Sequence, residues 1–318
     1  MENSQPIKIA FFGTPEFASI ILQKLINSEY KPSLVITMPD APVGRKQILT
    51  PPPVKTLAQD NGIKVYQPEK LSRTAIDENY DLAIVAAYGA IIPKDVLKIP
   101  KYGNLNVHPS ILPKWRGPSP IQYAILNGDE EMGITIMLLD EELDHGPILK
   151  QSKFLVSSDT TSEVLLKEFA EIGANMLLDT IPQWINGEIK PVEQDHEKAT
   201  FSKILTKEDG RIDWSKSAEQ IDNRLRALTP WPGIFTFFHG KRLKVIKGRI
   251  YVFDGIDGRI HFPKNQIGEV ISDTDEILVQ TGEGIFAIGE LQPEGKNVMT
   301  ARQFINGYPD LIGSVLGD

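Results

Sequence analysis

Residues 7–25 read IKIAFFGTPEFASIILQKL: a short, largely apolar run broken at Gly13, followed by a stretch with a different period. A near-continuous apolar run is what a strand buried on both faces requires. After it, Pro15 stands at a helix N1 position, and Phe17, Ile20, Ile21 and Leu25 recur at helical spacing. The alternation repeats downstream, with strand candidates at Ser33–Thr37, Lys64–Tyr66, Leu82–Ala87, Asn104–His108 and Ile134–Leu139. Strands alternating with helices predict an α/β fold, a doubly wound and mainly parallel Rossmann-like sheet covered by helices on both faces. A helix over Ser162–Trp184 closes this unit, because Val164, Leu165, Phe169, Ile172, Met176 and Leu177 fall on one face.

Beyond Gly187 the texture changes. Residues 187–209 are polar and broken by Pro191, as in a linker. One helix follows around Ala218–Leu228, then short strand candidates at Ile234–Phe238, Leu243–Ile246, Ile250–Phe253, Gly268–Ile271, Ile277–Gln280 and Gly284–Glu290. Six short strands at this spacing predict a small C-terminal β-barrel, OB-like and closed or partly open. The expected organisation is a first domain over residues 1–189, a linker over 190–208 and the barrel over 209–318.

The 318 residues are 41% hydrophobic and 24% charged, which excludes disordered and collagen-like classes. The absence of cysteine excludes a thiol nucleophile, a thiolate metal centre and a disulfide scaffold, and fits a reducing, cytoplasmic compartment. Residues 1–8 do not read as a secretory leader, and no run approaches the ~20 apolar residues of a membrane span, so a soluble protein is expected. The net charge of −8 is unevenly spread: residues 201–250 carry 11 Lys and Arg against 5 Asp and Glu. Their densest part, Lys241, Arg242, Lys244, Lys247 and Arg249, suits either a polyanion or a solvated strand edge protected by its charges.

Gly13-Thr14-Pro15-Glu16-Phe17-Ala18 lacks the second and third glycines of a dinucleotide fingerprint, which argues against NAD. No P-loop motif is present. The informative stretch is Asn104–Pro120, NLNVHPSILPKWRGPSP. Asn106 and His108 stand two apart on a strand, so both leave one face, ~6.6 Å apart along the chain, while Val107 packs behind. Pro109 ends the strand, which sets the pair at the carboxyl end where open α/β sheets hold their ligands. Residues 140–147, DEELDHGP, form a carboxylate-rich loop after the next strand and are expected at the mouth of the same sheet. A carboxylate there can orient and charge the imidazole. His145 reads as a loop residue, and the five histidines show no metal-ligand spacing.

NVHPSILPKWRGPSP followed by LDHGPIL resembles the formyltetrahydrofolate-dependent formyltransferases. FFGTPEFA, PDAPVGRKQILTPPPVK at 39–55, LTKEDGRIDW at 205–214, RALTPWPG at 226–233 and LQPEGKNVMTARQFINGY at 291–308 narrow the resemblance to the branch acting on tRNA, over about residues 7–310. It implies a one-carbon transferase of translation initiation, with 10-formyltetrahydrofolate and initiator methionyl-tRNA as substrates and with no metal, membrane or protein partner. It also implies catalytic roles for Asn106, His108 and Asp144, and folate contact by Ser110, Ile111, Leu112 and Pro113. Two departures from the family pattern fall at 44–48, GRKQI where GRGKK is usual, and at Ile204, where the usual lysine is replaced and Lys203 stands one place earlier.

The tRNA contacts so implied are Arg45 and Lys46 in a proline-flanked loop, Lys203, and Lys241, Arg242, Lys244 and Lys247 on the basic strand. The rival readings are a small-molecule N-formyltransferase acting on an amino-sugar or ribonucleotide, and a non-enzymatic nucleic-acid-binding protein. The second rival has no need of the Asn106, His108 and Asp144 set.

Overall fold

The computed structural model describes residues 7–44, 46–73, 76, 79–252, 266–271 and 275–317. The chain divides into two compact units. The first comprises Met1–Ile121, Glu130–Val156 and Val164–Lys203; the second comprises Gln122–Asp129, Ser157–Glu163 and Ile204–Asp318. Residues 190–203, expected in a linker, therefore belong to the first unit. Val192 exchanges backbone hydrogen bonds with Ile148 there, and Gln194 is buried.

In chain order the first part of the molecule holds β1 (Ile9–Gly13), α1 (Glu16–Ile26), β2 (Leu34–Ile36), β3 (Ala41–Val43), β4 (Ile48–Thr50), α2 (Pro53–Asp60), β5 (Lys64–Tyr66) and β6 (Leu82–Ala86). It continues with α3 (Lys94–Leu97), β7 (Asn104–His108), α4 (Pro120–Asn127), β8 (Glu131–Leu138), β9 (Ile148–Leu155) and α5 (Ser162–Ile185). Seven strands make one sheet in the order β5-β2-β1-β6-β7-β8-β9. The pairings from β5 to β7 are parallel, and every residue of β1, β6 and β7 is buried. For β1 and β6 this is the reason that apolar runs announce the strands so plainly. On one face, α5 comes so close to β7 that a Cβ on Gly173 would lie 2.7 Å from Val107 Cγ1. Asn106 and His108, alternating with Val107, leave the opposite face.

The sheet is mainly parallel, as expected, and its last two strands are antiparallel. β8 runs antiparallel to β7, pairing His108 with Thr135 and Leu105 with Leu138, and β9 is antiparallel to β8. The carboxylate loop therefore leaves the sheet beside the amino end of β7, not at its carboxyl mouth, and returns along the face. β9 was not expected, because Ile148–Leu155 mixes half-buried polar and apolar residues without a clean alternation. Nor was the β3–β4 hairpin, whose six residues are all exposed.

The second unit is built from α6 (Ala218–Leu228), β10 (Ile234–Phe238), β11 (Lys241–Ile250), β12 (Ile277–Gln280), β13 (Ile285–Pro293), β14 (Met299–Thr300) and α7 (Ala301–Gly307). Ser217 and Gln220 form a capping box at the start of α6, and Thr300 and Gln303 another at α7. The antiparallel sheet runs β10-β11-β13-β12, with β14 on β13: a half-barrel among the described residues. Phe235, Val245, Phe286, Leu291 and Phe304 are buried in its core. Leu243–Ile246 and Ile250, expected in two strands, lie in one, whose register shifts around Lys247 and Gly248. This irregularity is what makes one strand read as two. Phe253 lies outside the described residues. Among the described residues, Gly268–Ile271 contributes isolated bridges, Glu269 to Val315 and Val270 to Val279.

Candidate active site

Asn106, His108 and Asp144 converge in the first unit, with 7%, 5% and 8% of their surfaces exposed. Burial of three such groups is costly unless they satisfy one another. Asn106 Nδ2 donates to Asp144 Oδ1 at 3.4 Å, and Asp144 Oδ2 lies 3.7 Å from His108 Nδ1. The other ring nitrogen, His108 Nε2, faces the Trp115 carbonyl at 3.0 Å. Asp144 Oδ2 also accepts the backbone N–H of Gly117 at 2.7 Å. The carboxylate thus sits among an amide, an imidazole and a backbone donor, a set able to hold charge and to move protons.

The segment after β7 supplies the frame. Gly117 has φ +103°, and a Cβ there would stand 2.6 Å from the Ser202 carbonyl, so only glycine allows this turn and this approach. Around it, Trp115 N donates to Thr200 Oγ1, Arg116 N to the Thr200 carbonyl, and Ser202 N to the Arg116 carbonyl. Residues 200–202, from a stretch that reads as featureless, therefore fix the loop that holds Asp144. Asp144 itself has φ +47°, a left-handed conformation in a residue that tolerates it.

The segment expected to contact folate is held by β8 and β9. Thr135 Oγ1 donates to the Ser110 carbonyl and accepts from Leu112 N, while Gln151 Nε2 donates to the Leu112 carbonyl and to Thr135 Oγ1. Ser110 and Leu112 are buried, with Ser110 Oγ donating to the Lys114 carbonyl; Ile111 and Pro113 are half-buried. Thr135 and Gln151 give no signal in the sequence, where Thr135 is a single polar residue in a strand-like run and Gln151 lies within the polar stretch Lys150–Lys153. His145 Nδ1 lies 2.6 Å from Asp140 Oδ2, and its ring stacks on His196 with centroids 3.9 Å apart. Among the described residues, no three His, Asp or Glu side chains gather as metal ligands.

Lys46 is exposed in the turn of the β3–β4 hairpin, beside exposed Val43, Ile48 and Leu49; Arg45 lies outside the described residues. The base of the hairpin is anchored by Lys55 Nζ on both oxygens of Asp40, at 2.7 and 2.8 Å. Hydrogen bonds from Lys55 and Gln67 hold the Asp40 carboxyl below the usual carboxylate range. Lys203 is exposed in the first unit. In the second unit, Lys241 and Lys247 are exposed and Arg242 and Lys244 half-buried. Two of the basic strand's cations are paired, Lys247 with Glu290 and Arg249 with Glu276, each at 2.6 Å, and Arg242 lies 3.6 Å over the Phe235 ring. Among the described residues no helix is long and apolar enough to cross a membrane.

Residues 7–181 match the model of the formyl transferase family, and residues 204–309 that of the formyl transferase C-terminal domain. The chain is 43% identical over 316 residues to the methionyl-tRNA formyltransferase of Caldicellulosiruptor saccharolyticus, covering 97% of this chain and 99% of that one. It is 41% identical over 322 residues to the protein of the same name from Pseudoalteromonas translucida, covering 99% of each. In fold it is similar to a crystal structure of an N-formyltransferase from Helicobacter canadensis in complex with folinic acid and dTDP-3-aminofucose. That likeness has a TM-score of 0.67 at 20% identity, over 90% of this chain and 99% of that one.

Proposed function

This chain belongs to the formyltransferase family, and from that premise we propose that it transfers the formyl group of 10-formyltetrahydrofolate to the free α-amino group of initiator methionyl-tRNA. The observation that carries the reading is the buried cluster of Asn106, His108 and Asp144 on the side of β7 away from α5. Near-full-length identity of about 40% to enzymes named for this reaction supports the acceptor.

In the transfer, the amine nitrogen of methionine bonds to the formyl carbon, the bond from that carbon to N10 of the folate breaks, and one proton leaves the amine as another reaches N10. The intermediate is tetrahedral and carries an oxyanion, which prepositioned donors stabilise. Asn106 and His108 are those donors, held on one strand face. Asp144 orients both, and with its carboxylate among them it accepts the amine proton, directly or through water. His108 returns a proton to the departing nitrogen. Ile111 and Pro113, the half-buried members of the segment after β7, are the side chains available to the folate.

Acceptor binding falls to the basic residues: Arg45 and, on the hairpin, Lys46, with Lys203, and Lys241, Arg242 and Lys244 on β11, Lys247 being a weaker contributor because Glu290 already holds it. A reaction on charged tRNA belongs to the cytoplasm, and a cysteine-free sequence suits its reducing conditions. The test is formyl transfer by the purified protein from labelled 10-formyltetrahydrofolate to methionyl-tRNA, beside a nucleotide-linked amino sugar. Labelled formyl-methionyl-tRNA is expected. Transfer to the sugar alone overturns the reading.

A further inference from the structure

The reaction as drawn makes no use of one buried cation. Arg116 is 4% exposed, and no carboxylate pairs with it among the described residues. Its partners are neutral: Nε and Nη2 donate to Gln194 Oε1 at 3.2 and 2.8 Å, and Nη2 donates to His196 Nδ1 at 2.8 Å. Gln194 is 5% exposed and lies in the polar run after α5. Its other end is equally committed, with Nε2 donating to the backbone carbonyls of Asp144 at 2.9 Å and Gly146 at 2.8 Å.

The orientation of this amide is fixed by chemistry. A guanidinium only donates, so the end of Gln194 that faces Arg116 is its oxygen, and its two N–H groups point at the carbonyls on either side of His145. The buried guanidinium donates to the Gln194 oxygen and to His196 Nδ1, and its charge polarises the amide that it binds, which strengthens the two bonds donated at the far end. Those bonds grip the backbone of Asp144 where its φ is +47°, a conformation that its surroundings must hold in place. The other end of the same residue is held from the neighbour of Arg116, since Gly117 N donates to the Asp144 carboxylate at 2.7 Å. The Arg116–Gly117 dipeptide therefore fixes Asp144 twice, at the carboxylate through a backbone N–H and at the backbone through Gln194.

We propose that Arg116 and Gln194 are positioning residues for formyl transfer, a clamp that sets the Asp144 carboxylate between Asn106 and His108. This inference rests on the proposed reaction and adds to it two residues that touch none of the reacting atoms.

The discriminating substitution is Gln194→Glu. A glutamate at this position still accepts from Arg116, now as an ion pair, but its carboxylate cannot donate to the carbonyls of Asp144 and Gly146. A purely structural role predicts a lowered melting temperature, from the two buried bonds lost, with unchanged turnover by the folded enzyme. The clamp predicts, beside any change in melting temperature, that kcat of the folded enzyme falls about 10- to 100-fold, the range that misplacement of a reacting group by about 1 Å produces, while KM for both substrates stays within about twofold. Gln194→Met, of similar length and uncharged, is read in the same way should the glutamate variant fail to fold. Either variant is then combined with Asp144→Asn. If Gln194 acts through Asp144, the second substitution adds little to the loss caused by the first; independent roles multiply. Wild-type kcat in a folded variant, or a multiplicative loss in the double variant, overturns the clamp. Wild-type enzyme is assayed alongside: inactivity toward methionyl-tRNA counts against the proposed reaction, whereas an active wild type beside an unaffected variant counts against the clamp alone.

Discussion

Strands β7 and β11 both break an apolar pattern with polar side chains, and they do so in opposite ways. On β7 the exceptions, Asn104, Asn106 and His108, are buried. On β11 the buried residues are Leu243 and Val245, while Lys241, Lys247 and Arg249 stand exposed. A buried polar group is held only by specific partners, so Asn106 and His108 fix the position of a carboxylate from a loop 38 residues on. An exposed cation is tolerant and takes whatever acid is near, and Glu290 and Glu276, from the acidic segment that follows, pair with Lys247 and Arg249. A charge sum over residues 201–250 therefore overstates the field of the surface that those residues make. Polar residues in a strand otherwise fit for burial are the sharper sign of chemistry.

This contrast is open to attack at both strands. The largest effect belongs to β7: Asn106→Ala or His108→Ala is expected to lower kcat for formylation by about 10²–10³, the usual cost of removing an oxyanion donor, and steady-state kinetics with near-wild-type kcat in either would break the comparison. Next comes the frame around the buried site. Gly117→Ala forces a side chain into a φ of +103° against the Ser202 carbonyl and is expected to destabilise the fold by about 1–3 kcal/mol, read as a lowered midpoint in chemical or thermal unfolding. On β11 the expected change is in binding alone. Neutralising Lys241, Arg242, Lys244 and Lys247 together raises KM for methionyl-tRNA and leaves KM for the folate unchanged. It also flattens the salt dependence, by ~0.7–0.9 in slope for each phosphate that the strand no longer neutralises. An unchanged slope would reduce the basic strand to a solubilising edge. The smallest effect is the Lys247–Glu290 pair, where Glu290→Ala should change stability by about 1 kcal/mol or less.

How much of this was legible follows from the same distinction. Strands β1 and β6 are legible in the sequence because burial on both faces demands unbroken apolar runs. The direction of β8 is not, since residue pattern records burial and period but not which way a strand enters its sheet. Asn106 and His108 declared themselves by standing two apart at a strand end. Asp144 was marked by resemblance, but its route back along the face depends on bonds from Gly117 and Gln194 that no local spacing encodes. Gln194 looked like one more polar residue in a linker, because its burial is decided by an arginine 78 positions away. Arg116 stands in the sequence only as one residue of the stretch NVHPSILPKWRGPSP.

In the proposed reaction the buried carboxylate works in the transfer and does not merely hold the loop. Asp144→Asn tests it, because the amide oxygen still accepts from Gly117 N while the charge is gone. Measured in single turnovers with methionyl-tRNA and saturating 10-formyltetrahydrofolate, the variant is expected to bind the folate as the wild type does and to form formyl-methionyl-tRNA at least about 10²-fold more slowly. A folded Asp144→Asn variant that transfers formyl at the wild-type rate would leave the carboxylate with no part in the chemistry.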